Sequence, residues 1–110
     1  MSAGTPFFEV DQLPKDYLRP GTARRSVRLG DMLLMFITFE VPTTSPPHQH
    51  TWDSILVVDE GELDLTVAGE TKRLPPGKGA VIPAGVPHGL TTRTPTARII
   101  ETWYPVPETQ

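Results

Sequence analysis

The sequence predicts an all-β domain, and three observations support the prediction. Val, Ile and Thr supply 28 of the 110 residues, side chains that fill a pleated surface well and lose rotamer freedom in a helix. Thirteen Pro and nine Gly cut the chain every few residues, so a long helix has little room. Several short segments alternate apolar and polar residues with a period of two, the pattern of a strand with one buried face.

Taken in order, residues 1 to about 20 are rich in turn formers, and an N-terminal arm or edge strand is expected over 1–23. In residues 33–41, Leu33, Met35, Ile37, Phe39 and Val41 share one face, with Leu34, Phe36, Thr38 and Glu40 on the other. That is a strand with one strongly apolar face. Ile55-Leu56-Val57-Val58 is a continuous apolar run, and Asp59-Glu60-Gly61-Glu62 is a turn. Leu63, Leu65 and Val67 then alternate with Asp64, Thr66 and Ala68, so the whole reads as a hairpin. Gly69-Glu70 makes a second turn into residues 71–74, and Pro75-Pro76-Gly77 breaks the chain before Ala80-Val81-Ile82. Residues 97–104 form a last alternating strand. Short strands at near-regular spacing mean a sandwich or small barrel, expected over 24–107 with a tail at 108–110.

Composition excludes several function classes. With 37% apolar residues and a net charge of -3, the chain is too apolar and too weakly charged to stay disordered. It has no cysteine, which removes disulfides, thiolate metal sites and a cysteine nucleophile, and fits a reducing compartment. Three Lys and seven Arg stand against thirteen acids, so no broad basic surface exists for a nucleic-acid backbone. Residues 1–10 lack the basic and apolar regions of a leader, and the longest apolar stretch, 32–37, is too short to span a bilayer. A cytoplasmic protein with neither a nucleic-acid nor a membrane partner is expected.

The three histidines are the chemically informative residues. His48 and His50, at i and i+2 on an extended segment, project from the same face and can offer two imidazoles to one cation. His88 follows Pro83-Ala84-Gly85-Val86-Pro87, a rigid turn suited to fixing one side chain. Taken alone, a histidine pair of this spacing reads more readily as surface or turn histidines than as metal ligands.

His48-Gln49-His50, followed after three residues by Ser54 and after six more by Gly61, resembles the first motif of the cupin superfamily, HxH-x(3,4)-E-x(6)-G. Gly77-x(5)-Pro83-Ala84-Gly85-x(2)-His88 resembles the second. The likeness implies an RmlC-like jelly-roll β-barrel of two antiparallel sheets, often a homodimer, with a divalent transition metal held inside by His48, His50 and His88. Two positions depart from the pattern: Ser54 stands where the first motif usually has Glu, and Thr92 where the second usually has Asn. Imidazole and oxygen ligands suit Zn, Fe, Ni, Mn or Cu, and the sequence does not choose among them. Three neutral imidazoles leave the 2+ charge uncompensated and coordination positions open, which favours anionic oxygen ligands. Ser54, directly or through water, and Asp53 are the candidates for an additional contact.

Glu101 is the best acid or base. If Ile99 faces the barrel interior, Ala97, Glu101 and Trp103 share its face; the other phase turns Arg98, Ile100, Thr102 and Tyr104 inward. A Glu at the barrel mouth paired with an Arg is the simpler alternative. Among Arg24, Arg25 and Arg28, just before the first core strand, Arg25 is the candidate to clamp a substrate carboxylate, though such a cluster also suits a solvated face. Trp103, like Trp52, either lines a pocket or fills the core.

Within the superfamily the chain resembles the KdgF-type cupins, which open unsaturated uronate rings to linear keto acids. The likeness rests on Gly69-Glu70-Thr71-Lys72, Pro87-His88-Gly89 and residues 99–105. It places the family's metal-site Gln at Ser54, its catalytic Asp at Glu101, its pocket Phe at Trp103 and a later Arg at Pro107. The expected function is therefore a metal-dependent isomerase, tautomerase or ring-opening enzyme acting on a small oxygenated, carboxylate-bearing molecule. A three-histidine dioxygenase and a non-catalytic ligand-binding or sensor protein are the alternatives.

Overall fold

Alternation in the first apolar segment sets up the sheet that carries the core. The computed structural model describes residues 5–107; the first four residues of the expected arm, and the expected tail 108–110, lie outside the described residues. Ten strands form: β1 (Lys15–Arg19), β2 (Thr22–Leu29), β3 (Met32–Phe39), β4 (Thr44–His48), β5 (Asp53–Glu60), β6 (Leu63–Val67), β7 (Glu70–Leu74), β8 (Gly79–Ile82), β9 (His88–Thr92) and β10 (Ala97–Tyr104). A single 3-10 turn, Val10–Gln12, is the one helical element among the described residues. Six strands pair in the order β1-β2-β3-β10-β5-β8 and four in the order β4-β9-β6-β7, every pairing antiparallel. The two sheets enclose the core as a β-barrel, the all-β architecture expected.

On β3, Leu33, Met35, Ile37 and Phe39 are buried while the residues between them are partly exposed. Val41, read as continuing that face, is exposed because the strand ends at Phe39. The apolar run at 55–58 also resolves into alternation: Leu56 and Val58 are buried, Ile55 and Val57 exposed. Only the inner face of β5 meets the other sheet. β10 pairs with both β3 and β5 and turns Ala97, Ile99 and Glu101 inward. Leu63 and Leu65 of β6 face them from the smaller sheet as part of the same core. Each fully buried side chain of this kind stabilises the fold by about 1.5–3 kcal/mol.

The β5–β6 turn requires a glycine. Gly61 has φ +74°, and a Cβ there would stand 2.5 Å from the Thr96 carbonyl oxygen, so both backbone conformation and space exclude a side chain. β4 tolerates Pro46-Pro47 because it is an edge strand and its register against β9 shifts between Ser45 and His48.

Candidate metal centre

The edge bulge decides where the histidines lie. After the register shift, His48 pairs directly with His88, the first residue of β9, and their ring centroids are 4.5 Å apart. Gly89 follows His88, and a Cβ at that position would stand 2.6 Å from the Ser45 carbonyl oxygen on the paired β4. His50 lies beyond the end of β4, and its carbonyl accepts the Gly85 N–H at 2.8 Å. That bond ties the 83–87 turn to the histidine segment. One ring nitrogen from each of His48, His50 and His88 lies within 4.8 Å of the others, close enough that the three could hold a metal ion.

Backbone carbonyls set the tautomers. Nδ1 of His48 lies 2.9 Å from the Pro46 oxygen, and Nδ1 of His88 lies 2.9 Å from the Val86 oxygen. A carbonyl only accepts, so each Nδ1 carries the hydrogen and leaves a lone pair on Nε2. The His50 ring stacks on Trp52 at 4.7 Å and 9°. Burial, then the neighbouring His48 and His88, lower the His50 pKa below its ordinary 6.5. The neutral imidazole favoured in this way is the form that binds a metal. Three converging imidazoles fit a divalent transition ion, and no other group of three potential metal-binding side chains comes together among the described residues.

Glu101 lies in the same cavity. It is 8% exposed, and one of its oxygens, Oε2, accepts two hydrogen bonds: from Ser54 Oγ at 2.6 Å and from Trp103 Nε1 at 2.9 Å. Oε1 takes no hydrogen bond from the described residues. The cavity, about 220 Å³ in volume, is lined by the three histidines, Glu101 and Trp103, with apolar walls that include Ile37, Phe39 and Leu56.

The remaining candidates lie elsewhere. Ser54 is next to the site, but its hydroxyl is committed to Glu101. Asp53, one residue earlier on β5, points to the opposite face, as the period of two requires, and accepts the Ala84 N–H at 2.8 Å. Arg25 pairs with Phe36 on the outer face of the larger sheet, donates to the Leu13 carbonyl at 2.6 Å and lines a different cavity. Arg19 and Thr22 do line the histidine cavity, and sequence reasoning missed both. The only signal for them was the Pro20-Gly21 turn that separates them.

The family model described as Cupin domain matches residues 35–103, more than half of the chain. This chain is a cupin. Among solved structures it is similar to KdgF from Halomonas sp., at 27% identity and TM-score 0.86, covering 96% of this cupin and 97% of that chain. An RmlC-like cupin from Shewanella frigidimarina NCIMB 400 matches at 24% identity and TM-score 0.85, covering 96% and 95% of the two chains. Hydroxypropylphosphonic acid epoxidase from S. wedmorenis shares the fold at 16% identity and TM-score 0.79, covering 94% of this cupin and 61% of the epoxidase. No curated protein matches. Proteins of different chemistry thus share this barrel, and the fold alone does not select a reaction.

Proposed function

We propose that this cupin is a metal-dependent isomerase or tautomerase, of the ring-opening kind, acting on a small carboxylate-bearing molecule. The observation that supports it is Glu101: a buried carboxylate in the histidine cavity, held at one oxygen by two neutral donors, with the other oxygen open. His48, His50 and His88 would hold the metal, which when bound would supply a Lewis acid in this cavity. Ser54 and Trp103 fix the carboxylate plane, so Oε1 faces the cavity as a positioned base. In an isomerisation, the proton that Oε1 takes from a hydroxyl or an acidic C–H is returned to another substrate atom, and Glu101 ends as it began. Apolar walls from Ile37, Phe39 and Leu56 keep water from competing for that proton. The likeness to KdgF supports unsaturated uronates as the first substrates to try, and related sugar acids next.

A second reading, a three-histidine dioxygenase, is favoured by the donor set: imidazoles alone, with the Ser54 hydroxyl engaged elsewhere. We place the protein in the cytoplasm as a homodimer. Support for the dimer is the outer face of the larger sheet, where Ile55 pairs with Val81 and both are exposed. No helix among the described residues is long and apolar enough to cross a membrane.

The test is an absorbance screen of unsaturated uronates, keto acids and diketones, run anaerobically and in air. Anaerobic turnover that Glu101→Gln abolishes is the expected result. Turnover that needs oxygen and ignores Glu101→Gln transfers the assignment to the dioxygenase.

A further inference from the structure

The histidine cavity is lined by one cationic side chain, Arg19, and three features of the chain bring it there. β1 and β2 pair regularly from Lys15 to Tyr17, then slip, so that Tyr17 pairs with Ala23 and Arg19 with Thr22. Leu18 is the extra residue of this bulge. In a regular strand Leu18 and Arg19 would face opposite ways; here both line the cavity, the re-aiming that bulges commonly produce. The Pro20-Gly21 turn follows, with Gly21 at φ +83°, and the Gly21 carbonyl accepts the Glu40 N–H at 2.8 Å. That bond fixes the turn to the end of β3.

Every other arginine is engaged within the fold. Arg24 pairs with Asp16, Arg25 with the Leu13 carbonyl, Arg28 with the Gly30 carbonyl, Arg73 and Arg93 with Asp64, and Arg98 with Asp59. The Arg19 side chain makes no hydrogen bond or ion pair among the described residues, and the residue is exposed at the rim of the cavity. Directly across from it, Thr22 is 3% exposed, lines the same cavity, and keeps its hydroxyl without a hydrogen-bond partner. A buried hydroxyl left unpaired costs stability unless a ligand satisfies it. A guanidinium and an unpaired hydroxyl side by side suit a carboxylate, which accepts from both.

We propose that Arg19 and Thr22 form a carboxylate-binding subsite, making the substrate a hydroxy or keto acid whose carboxylate sits at the rim while its reacting oxygens face the histidines. The proposal rests on the functional reading above. It makes Arg19 a specificity-determining residue, with Glu101 left to move the proton.

Isothermal titration with D-galacturonate and its uncharged methyl ester, with and without Co²⁺, tests the subsite. The wild type is expected to bind the acid roughly tenfold more tightly than the ester, the scale of one charge-assisted hydrogen-bonded contact. Arg19→Gln should erase that preference and leave ester affinity and melting temperature unchanged, while Arg19→Lys should restore part of it. Thr22→Val, which removes the hydroxyl at constant shape, should weaken only the acid and not lower the melting temperature. A preference that survives Arg19→Gln overturns the subsite, as does failure of both compounds to bind. Co²⁺ uptake is read separately: its absence refutes the histidine reading, while the preference of the metal-free protein still judges Arg19.

Discussion

Two carboxylates in this barrel each accept hydrogen bonds from two side chains, and the contrast between them separates a working group from a structural one. Asp64 on β6 lies at the surface and takes Arg73 Nε at 2.6 Å and Arg93 Nε at 2.7 Å. These cations hold it as an anion, with its pKa lowered below the ordinary 3.8, and nothing about it invites a proton. Glu101 on β10 is buried and takes a serine hydroxyl and an indole N–H, both neutral and both on one oxygen. Neutral donors orient a carboxylate without pairing it with a cation, and because both sit on Oε2 the other oxygen is left free of protein donors among the described residues. The donors' chemistry, more than their number, distinguishes the two sites.

The comparison is broken most forcefully by removing the histidines that give Glu101 a partner. His48→Ala and His88→Ala should each take the protein from about one transition-metal ion per chain to almost none, with turnover lost altogether. Elemental analysis of protein purified without a metal-affinity tag checks this, and equal metal in variant and wild type would dissolve the proposed centre.

Glu101→Gln is the sharper cut, because it preserves size and hydrogen bonding. Turnover should fall roughly 10²–10⁴-fold while metal content stays at the wild-type level. Asp64→Asn, the matched change at the surface, should leave both unchanged. Equal effects of the two substitutions would show that the contrast in donors carries no function.

Ser54→Ala removes one of the two donors on Oε2 and should cost roughly tenfold in kcat, with metal content unchanged. A drop in metal content would instead show that Ser54 acts on the metal centre, as its position in the motif suggests.

The histidines and Glu101 were legible because their signals are local. The two-part motif points to His48, His50 and His88, and strand alternation puts Glu101 on the face of Ile99, the phase that the structure turns inward. Contacts that depend on pairing between strands were not legible. Ser54 reaches Glu101 only because β5 and β10 are neighbours in one register, which brings together residues 47 positions apart. Arg19 enters the cavity through a bulge that no composition signal marks, whereas Arg25, the arginine that looked best placed, faces outward opposite Phe36. The fold class followed from alternation and punctuation alone. β2 and β4 were harder to read, since the first carries three arginines and the second two prolines.

The smallest expected effect tests the surface half of the comparison and is a matter of pH. The hydrogen bond from Arg73, then that from Arg93, lowers the Asp64 pKa in the folded protein below 3.8, so below that value the unfolded chain binds protons that the native state resists. Stability from this group is therefore fully present above pH 3.8 and is lost as the pH falls through the lowered folded value. Asp16, lowered chiefly by its hydrogen bond to Arg24, adds a loss over the same range. Acid unfolding followed by circular dichroism should be slightly less steep below pH 4 in Asp64→Asn than in the wild type, with Asp16 supplying the remainder. The anaerobic turnover of the two proteins at neutral pH should coincide. A change in turnover without a change in the acid limb would place Asp64, and not Glu101 alone, in the chemistry.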